Sequence, residues 1–87
     1  MQAATYHQLG KMAQEQKQWE QAKEYFLRTL EINNVYNDTY NVGIVLRSLA
    51  LLWRRTNDGQ LPKYVAPLIG KTPEEVIELF AQGERRE

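Results

Sequence analysis

Cysteine is absent from the 87 residues, and with it go disulfides, thiol catalysis and Cys-based zinc sites. A single histidine, His7, leaves almost nothing from which to build a transition-metal site. No charge sign dominates: 11 Lys and Arg balance 11 Asp and Glu, so no bulk attraction to nucleic acid or an anionic membrane is expected. Long apolar runs are missing too. The longest, Val42 to Trp53, is broken by Arg47 and Ser48 and falls short of the roughly 20 residues that span a bilayer. Polar residues after Met1 (Gln2, Tyr6, His7, Gln8) give no signal-peptide core. No nucleophile–base pair, phosphate loop or ligand cluster appears. The expectation is a cytoplasmic, non-enzymatic domain spanning 1–87, with no metal or cofactor, too small for a cleft between two domains.

What is present is helical periodicity. Helix 1 is expected over Ala3 to Gln16, with Tyr6, Leu9, Ala13 and also Met12 on its apolar face. Helix 2 follows from Trp19 to Tyr36, where Ala22, Tyr25, Phe26, Thr29, Leu30 and Asn33 recur at helical spacing. On its wet face Glu20–Lys23 and Glu24–Arg28 are placed to pair. Asp38 is a good N-cap for helix 3, Thr39 to Thr56, and Asn57-Asp58-Gly59 is a turn. Helix 4 starts near Leu61 with Pro62 in its first turn, is loosened at Pro67 and ends at Gly70. Thr72-Pro73-Glu74-Glu75 is a capping box that opens helix 5, with Val76, Ile77, Leu79 and Phe80 on its apolar face. Gly83 and the charged residues Glu84 to Glu87 are expected to end the fold. Helix 3 is apolar around most of its circumference, which predicts a central helix covered by helices 1 and 2 before it and 4 and 5 after it.

Charge is unevenly spread: residues 1–38 carry −1, residues 39–71 carry +4 and residues 72–87 carry −3. The chain also repeats itself. Shifted by 40 residues, Leu9 falls on Leu49, Gly10 on Ala50, Tyr6 on Leu46 and Met12 on Leu52. Such a period marks an array of helical hairpins.

Within the first hairpin, Tyr6-x2-Leu9-Gly10-x2-Ala13 is followed by Ala22-x3-Phe26. This resembles the tetratricopeptide repeat, with Tyr6 and Ala13 replacing the usual Trp and Tyr and Asn34 standing where Pro closes the repeat. The 40-residue period and the strings Ala4 to Gly10 and Trp19 to Ala22 are similar to a long-repeat bacterial subclass, abundant in cyanobacterial arrays. The resemblance implies an all-α fold of about five helices: antiparallel hairpins of a right-handed α-solenoid with a short C-terminal capping helix. It implies a well-formed repeat at 3–36, a degenerate one at 39–70, a cap at 72–82 and a tail at 83–87. It places this segment at the C-terminal end of an array.

The function implied is protein–protein interaction as a scaffold or adaptor. A hairpin cannot bury its apolar face alone, so either membership of a longer array or self-association into a homo-oligomer is expected. Carried over by position, the groove that holds a peptide partner would be lined by His7, Lys11 and Gln14 from helix 1 and by Arg47, Leu51 and Arg54 from helix 3. Its cations suit an acidic or carboxylate-bearing segment, although the Asn used by chaperone-binding members is missing. The competing expectation for the chain is a purely structural cap.

Other features have plainer readings. Asp38 and Glu75 act as caps, Glu74 and Glu78 as a solvated helix start, and Trp19 and Trp53 as core aromatics. His7 lacks a Ser or carboxylate neighbour at a catalytic spacing. Ala66-x3-Gly70-x5-Val76 has helix-turn-helix spacing, but Glu74, Glu75 and Glu78 would then face DNA phosphates, so DNA binding is not expected.

Overall fold

The computed structural model describes the backbone of residues 3–85 and the side chains of residues 3–82. Five helices follow one another: α1 (Ala3–Glu15), α2 (Trp19–Val35), α3 (Thr39–Thr56), α4 (Leu61–Ile69) and α5 (Pro73–Arg85). Their boundaries follow from local chemistry. Asp38 accepts the Asn41 backbone N–H at 3.2 Å and starts α3. Thr72 and Glu75 form a reciprocal capping box, Thr72 N to Glu75 Oε1 at 2.8 Å and Glu75 N to Thr72 Oγ1 at 3.2 Å. Gly70 ends α4 in the left-handed region at φ 67°, where a Cβ would be strained.

Lys17 (φ 61°) turns the chain between α1 and α2, and Asn57 (φ 55°) turns it between α3 and α4. These two left-handed residues stand 40 positions apart, so the repeat seen in the helices extends to the backbone of the turns. Asn accepts that conformation readily, whereas at Lys17 it costs about 1–2 kcal/mol.

The core gathers Phe26 and Leu30 of α2, Val45, Leu49 and Leu52 of α3, Leu61 and Val65 of α4, and Val76 and Phe80 of α5, all essentially without solvent contact. Gly10 of α1 belongs to it for a steric reason. A Cβ built there would lie 2.6 Å from Cε1 of Phe26, so only glycine lets α1 approach that ring. Two buried polar side chains of α2, Thr29 and Asn33, sit at the edge of the core; Thr29 Oγ1 donates to the Tyr25 carbonyl at 2.9 Å.

Helix α2, rather than α3, has the most neighbours: it packs on α1, α3 and α4. Helix α3 packs chiefly on α2 and α5, and α5 also covers α4. The difference from the expected central α3 has a clear cause. Helix α4 spans only 9 residues, so α5 fills space that a longer partner would take, with the Phe80 ring centre 5.5 Å from that of Trp53 at a tilt of 46°.

Met12, expected on the apolar face, is exposed. Arg28 pairs with Glu31 at 3.7 Å rather than with Glu24. Helix α5 continues through Gly83 to Arg85; a single helical glycine costs about 1 kcal/mol and does not by itself stop a helix. The side chains of the expected charged tail lie outside the described residues. Trp19 and Trp53 are half-buried against the core, as expected of packing aromatics.

Candidate functional site

The face shared by α1 and α3 is tied at its middle by one hydrogen bond. His7 Nε2 lies 3.0 Å from Ser48 Oγ, and the imidazole sits 5.6 Å from the Phe26 ring. Partial burial, and secondly the nearby Lys11 ammonium, hold the His7 pKa below its ordinary value. A hydroxyl beside an imidazole has the composition of a nucleophile–base dyad. Among the described residues no carboxylate hydrogen-bonds the other ring nitrogen, and the bond ties α1 to α3.

Towards the C-terminal ends of the two helices lies a cleft of about 310 Å³ lined by Lys11, Gln14, Glu15, Lys17, Trp19 and Arg55. Four of these come from α1 or the turn after it, and Arg55 comes from α3. The wall is thus three cations to one carboxylate beside an indole.

The expected site residues fall as follows. Lys11 and Gln14 line this cleft, whereas His7 lines a separate one of about 330 Å³ with Gln8, Asn41 and Ile44. On α3, Arg47 and Leu51 are exposed and Arg54 is half-buried. Lys11 and Gln14 meet Arg55, the residue after the expected Arg54. Ser48 and Arg55 escaped the sequence reading, yet the 40-residue register pairs Gln8 with Ser48 and Glu15 with Arg55, a signal that could have found both.

A second, wider cleft of about 1040 Å³ opens between the start of α2, the end of α3 and α4. Lys23 bridges it, bonded to Glu20 at 3.2 Å and Asp58 at 3.4 Å, with Nζ 5.6 Å from the centre of the Tyr64 ring. Burial pushes the Lys23 pKa down, but the hydrogen bonds to Glu20 and Asp58 outweigh it and leave the value raised. This ammonium already has its counter-charges, so it latches α2 to the α3–α4 turn. Among the described residues, no group of three or more His, Asp or Glu is placed to hold a metal ion. Among them, too, no helix is long and apolar enough to cross a membrane.

Helical hairpins at a 40-residue register, with Gly10 seated on Phe26, meet the sequence pattern read above. The model of one family, the tetratricopeptide repeat, matches residues 1–60. The chain belongs to the tetratricopeptide repeat family. In that frame the matched residues include α1, α2 and all of α3, so both faces of the candidate site lie within the tetratricopeptide region. Comparison with curated proteins and with solved structures gives no match. Tetratricopeptide repeats generally mediate protein–protein interaction and are typically non-enzymatic.

Proposed function

We propose that this chain is a scaffold or adaptor segment whose α1/α3 face holds an acidic or carboxylate-bearing stretch of a partner protein. The observation that carries this reading is the cleft where Lys11, Lys17 and Arg55 converge beside Gln14 and Trp19. Three cations against Glu15 favour a negative ligand, Gln14 supplies amide hydrogen bonds, and the indole offers an apolar wall. The test is fluorescence anisotropy with a labelled glutamate-rich peptide. Binding is expected at low salt, weakened at least about tenfold, roughly 1.4 kcal/mol, by Lys11→Glu or Arg55→Glu. Unchanged affinity in both variants would overturn the assignment of this face.

A structural role within a longer array is supported by a different observation. Helix α3 packs on α2 of the first hairpin with Val45, Leu49 and Leu52 buried, and Leu52 is 1% exposed. Their counterparts 40 residues earlier are Thr5, Leu9 and Met12, and Met12 is 53% exposed. A further hairpin packed on α1 would cover that methionine as the first hairpin covers Leu52. In this reading residues 3–36 and 39–70 are successive repeats and α5 is the cap, its outward Glu74 and Glu78 facing solvent. Fusing a consensus tetratricopeptide hairpin ahead of Ala3 should raise the unfolding midpoint; no change would sink the array reading.

A further inference from the structure

Helix α3 carries an exposed stripe that the core does not use. Tyr40, Arg47 and Leu51 follow one another at spacings of seven and four residues, with Arg55 four residues further on, which places them on one face. Tyr40 and Arg47 are exposed, and Leu51 keeps 38% of its surface in solvent one turn before Arg55. The stripe is cationic with an apolar centre. Helix α5 presents the opposite pattern: Glu74 and Glu78 are exposed one turn apart, and Ile77 beside them is 42% exposed. Neither Glu74 nor Glu78 is spent on the capping box, which uses Glu75. The two faces cannot meet within one copy, because α5 reaches α3 through its opposite side, where Val76 and Phe80 are buried.

We infer that a second copy of this chain is a partner of the α3 face, with the Glu74–Ile77–Glu78 face of its α5 laid against Arg47, Leu51 and the neighbouring Arg55. Charge complementarity selects this occupant: Arg47 and Arg55 on the α3 face are opposite in sign to Glu74 and Glu78 on the α5 face, and the two faces do not meet within one copy. Leu51 and Ile77 supply an apolar contact at the centre of the charged ring. The same contact made twice around a two-fold axis closes a dimer; made once, it extends head to tail. The inference rests on the reading of the α1/α3 side as a site for acidic segments and names one such segment.

The experiment uses light scattering after size exclusion on three samples: the natural chain, Arg47→Glu/Arg55→Glu and Glu74→Arg/Glu78→Arg. All four positions are exposed, and circular dichroism checks that helicity is kept. The natural chain is expected to associate, and more weakly when ionic strength rises from about 0.05 M to about 0.5 M. Each charge-reversed chain should be monomeric at the same concentration. Mixed in equal amounts, the two variants should associate again, because each α3–α5 contact then pairs opposite charges. A monomeric natural chain at every concentration overturns the inference, as do variants of unchanged mass or a mixture that stays monomeric. The Glu74→Arg/Glu78→Arg chain separates this failure from that of the underlying reading, since its α3 face is intact. If it still binds hexaglutamate, the acidic-segment site stands without self-association; if it does not, both fall.

Discussion

In the first hairpin Gly10 lies against the face of Phe26, while 40 positions later the chain carries Ala50 and Ala66. The first hairpin sets a glycine against a large ring, whereas both equivalent positions are alanine, so small volume is kept at one point and the aromatic ring is lost at the other. The consequence is visible in the packing. Helices α1 and α2 lie directly along one another, whereas α3 and α4 are both held by α5. Phe80, packed against Trp53, supplies from the next helix the ring that the second hairpin lacks. One spacing therefore supports two ways of closing a hairpin, an internal ring or a borrowed one.

The strongest way to break that comparison is to remove each ring. Phe26→Ala and Phe80→Ala should each cost about 3–5 kcal/mol, a large part of the stability of a domain this size. They should differ in hydrogen exchange. Phe80→Ala should expose amides of α4 and α5 while α1 and α2 stay protected, and Phe26→Ala should expose all five helices together. Equal exposure in both variants would show that the borrowed ring is not local to the second hairpin.

Volume at the small residue sharpens the point. Gly10→Ala forces a Cβ into the Phe26 ring and should cost about 1–3 kcal/mol in urea denaturation. Ala50→Gly at the equivalent position should cost about 1 kcal/mol, mostly helix propensity. Adding Phe26→Leu to Gly10→Ala should recover part of the loss, since residues in contact couple. Simple additivity would mean that Gly10 is not there for the ring.

Less is expected at the cap that starts α5. Thr72→Ala should cost about 1 kcal/mol of helix α5. The Thr72 backbone N–H and then its side chain hold the Glu75 carboxyl below the ordinary value; the substitution removes only the side-chain part, so the Glu75 titration followed by NMR should move up but stay lowered. The smallest effect is the pH response of the α1–α3 tie. The folded His7 pKa lies below its ordinary value of 6.5, so its contribution to stability is present above that value and fades as pH falls through the folded pKa. Thermal midpoints should therefore drop more between about pH 7.5 and 5.5 for the natural chain than for His7→Gln.

Much of the scaffold was legible beforehand because its signals are local. Asp38, the Thr72–Glu75 box, Gly70 and the apolar positions of α2 each depend on neighbours within a turn, and the structure places them as expected. Met12 was misread because its position repeats a core site of α3 while its surroundings do not: whether a periodic apolar residue is buried depends on a helix from elsewhere. The candidate site was half legible. Lys11 and Gln14 come from a single helix, but their meeting with Arg55, the His7–Ser48 bond across 41 residues and the Lys23–Asp58 pair across 35 need the angle at which α3 crosses the first hairpin.

Five helices, their caps, the all-α class and the 40-residue register are readable along the chain, since propensity, capping and periodicity act over a few residues. That α2 is the hub, that α5 closes the second hairpin and that Arg55 shares a cleft with Lys11 depend on how the helices pack. Those outcomes turn on the volume of single side chains, a glycine under a phenyl ring and a nine-residue α4 too short to cover its partner, and volume is judged only where helices meet.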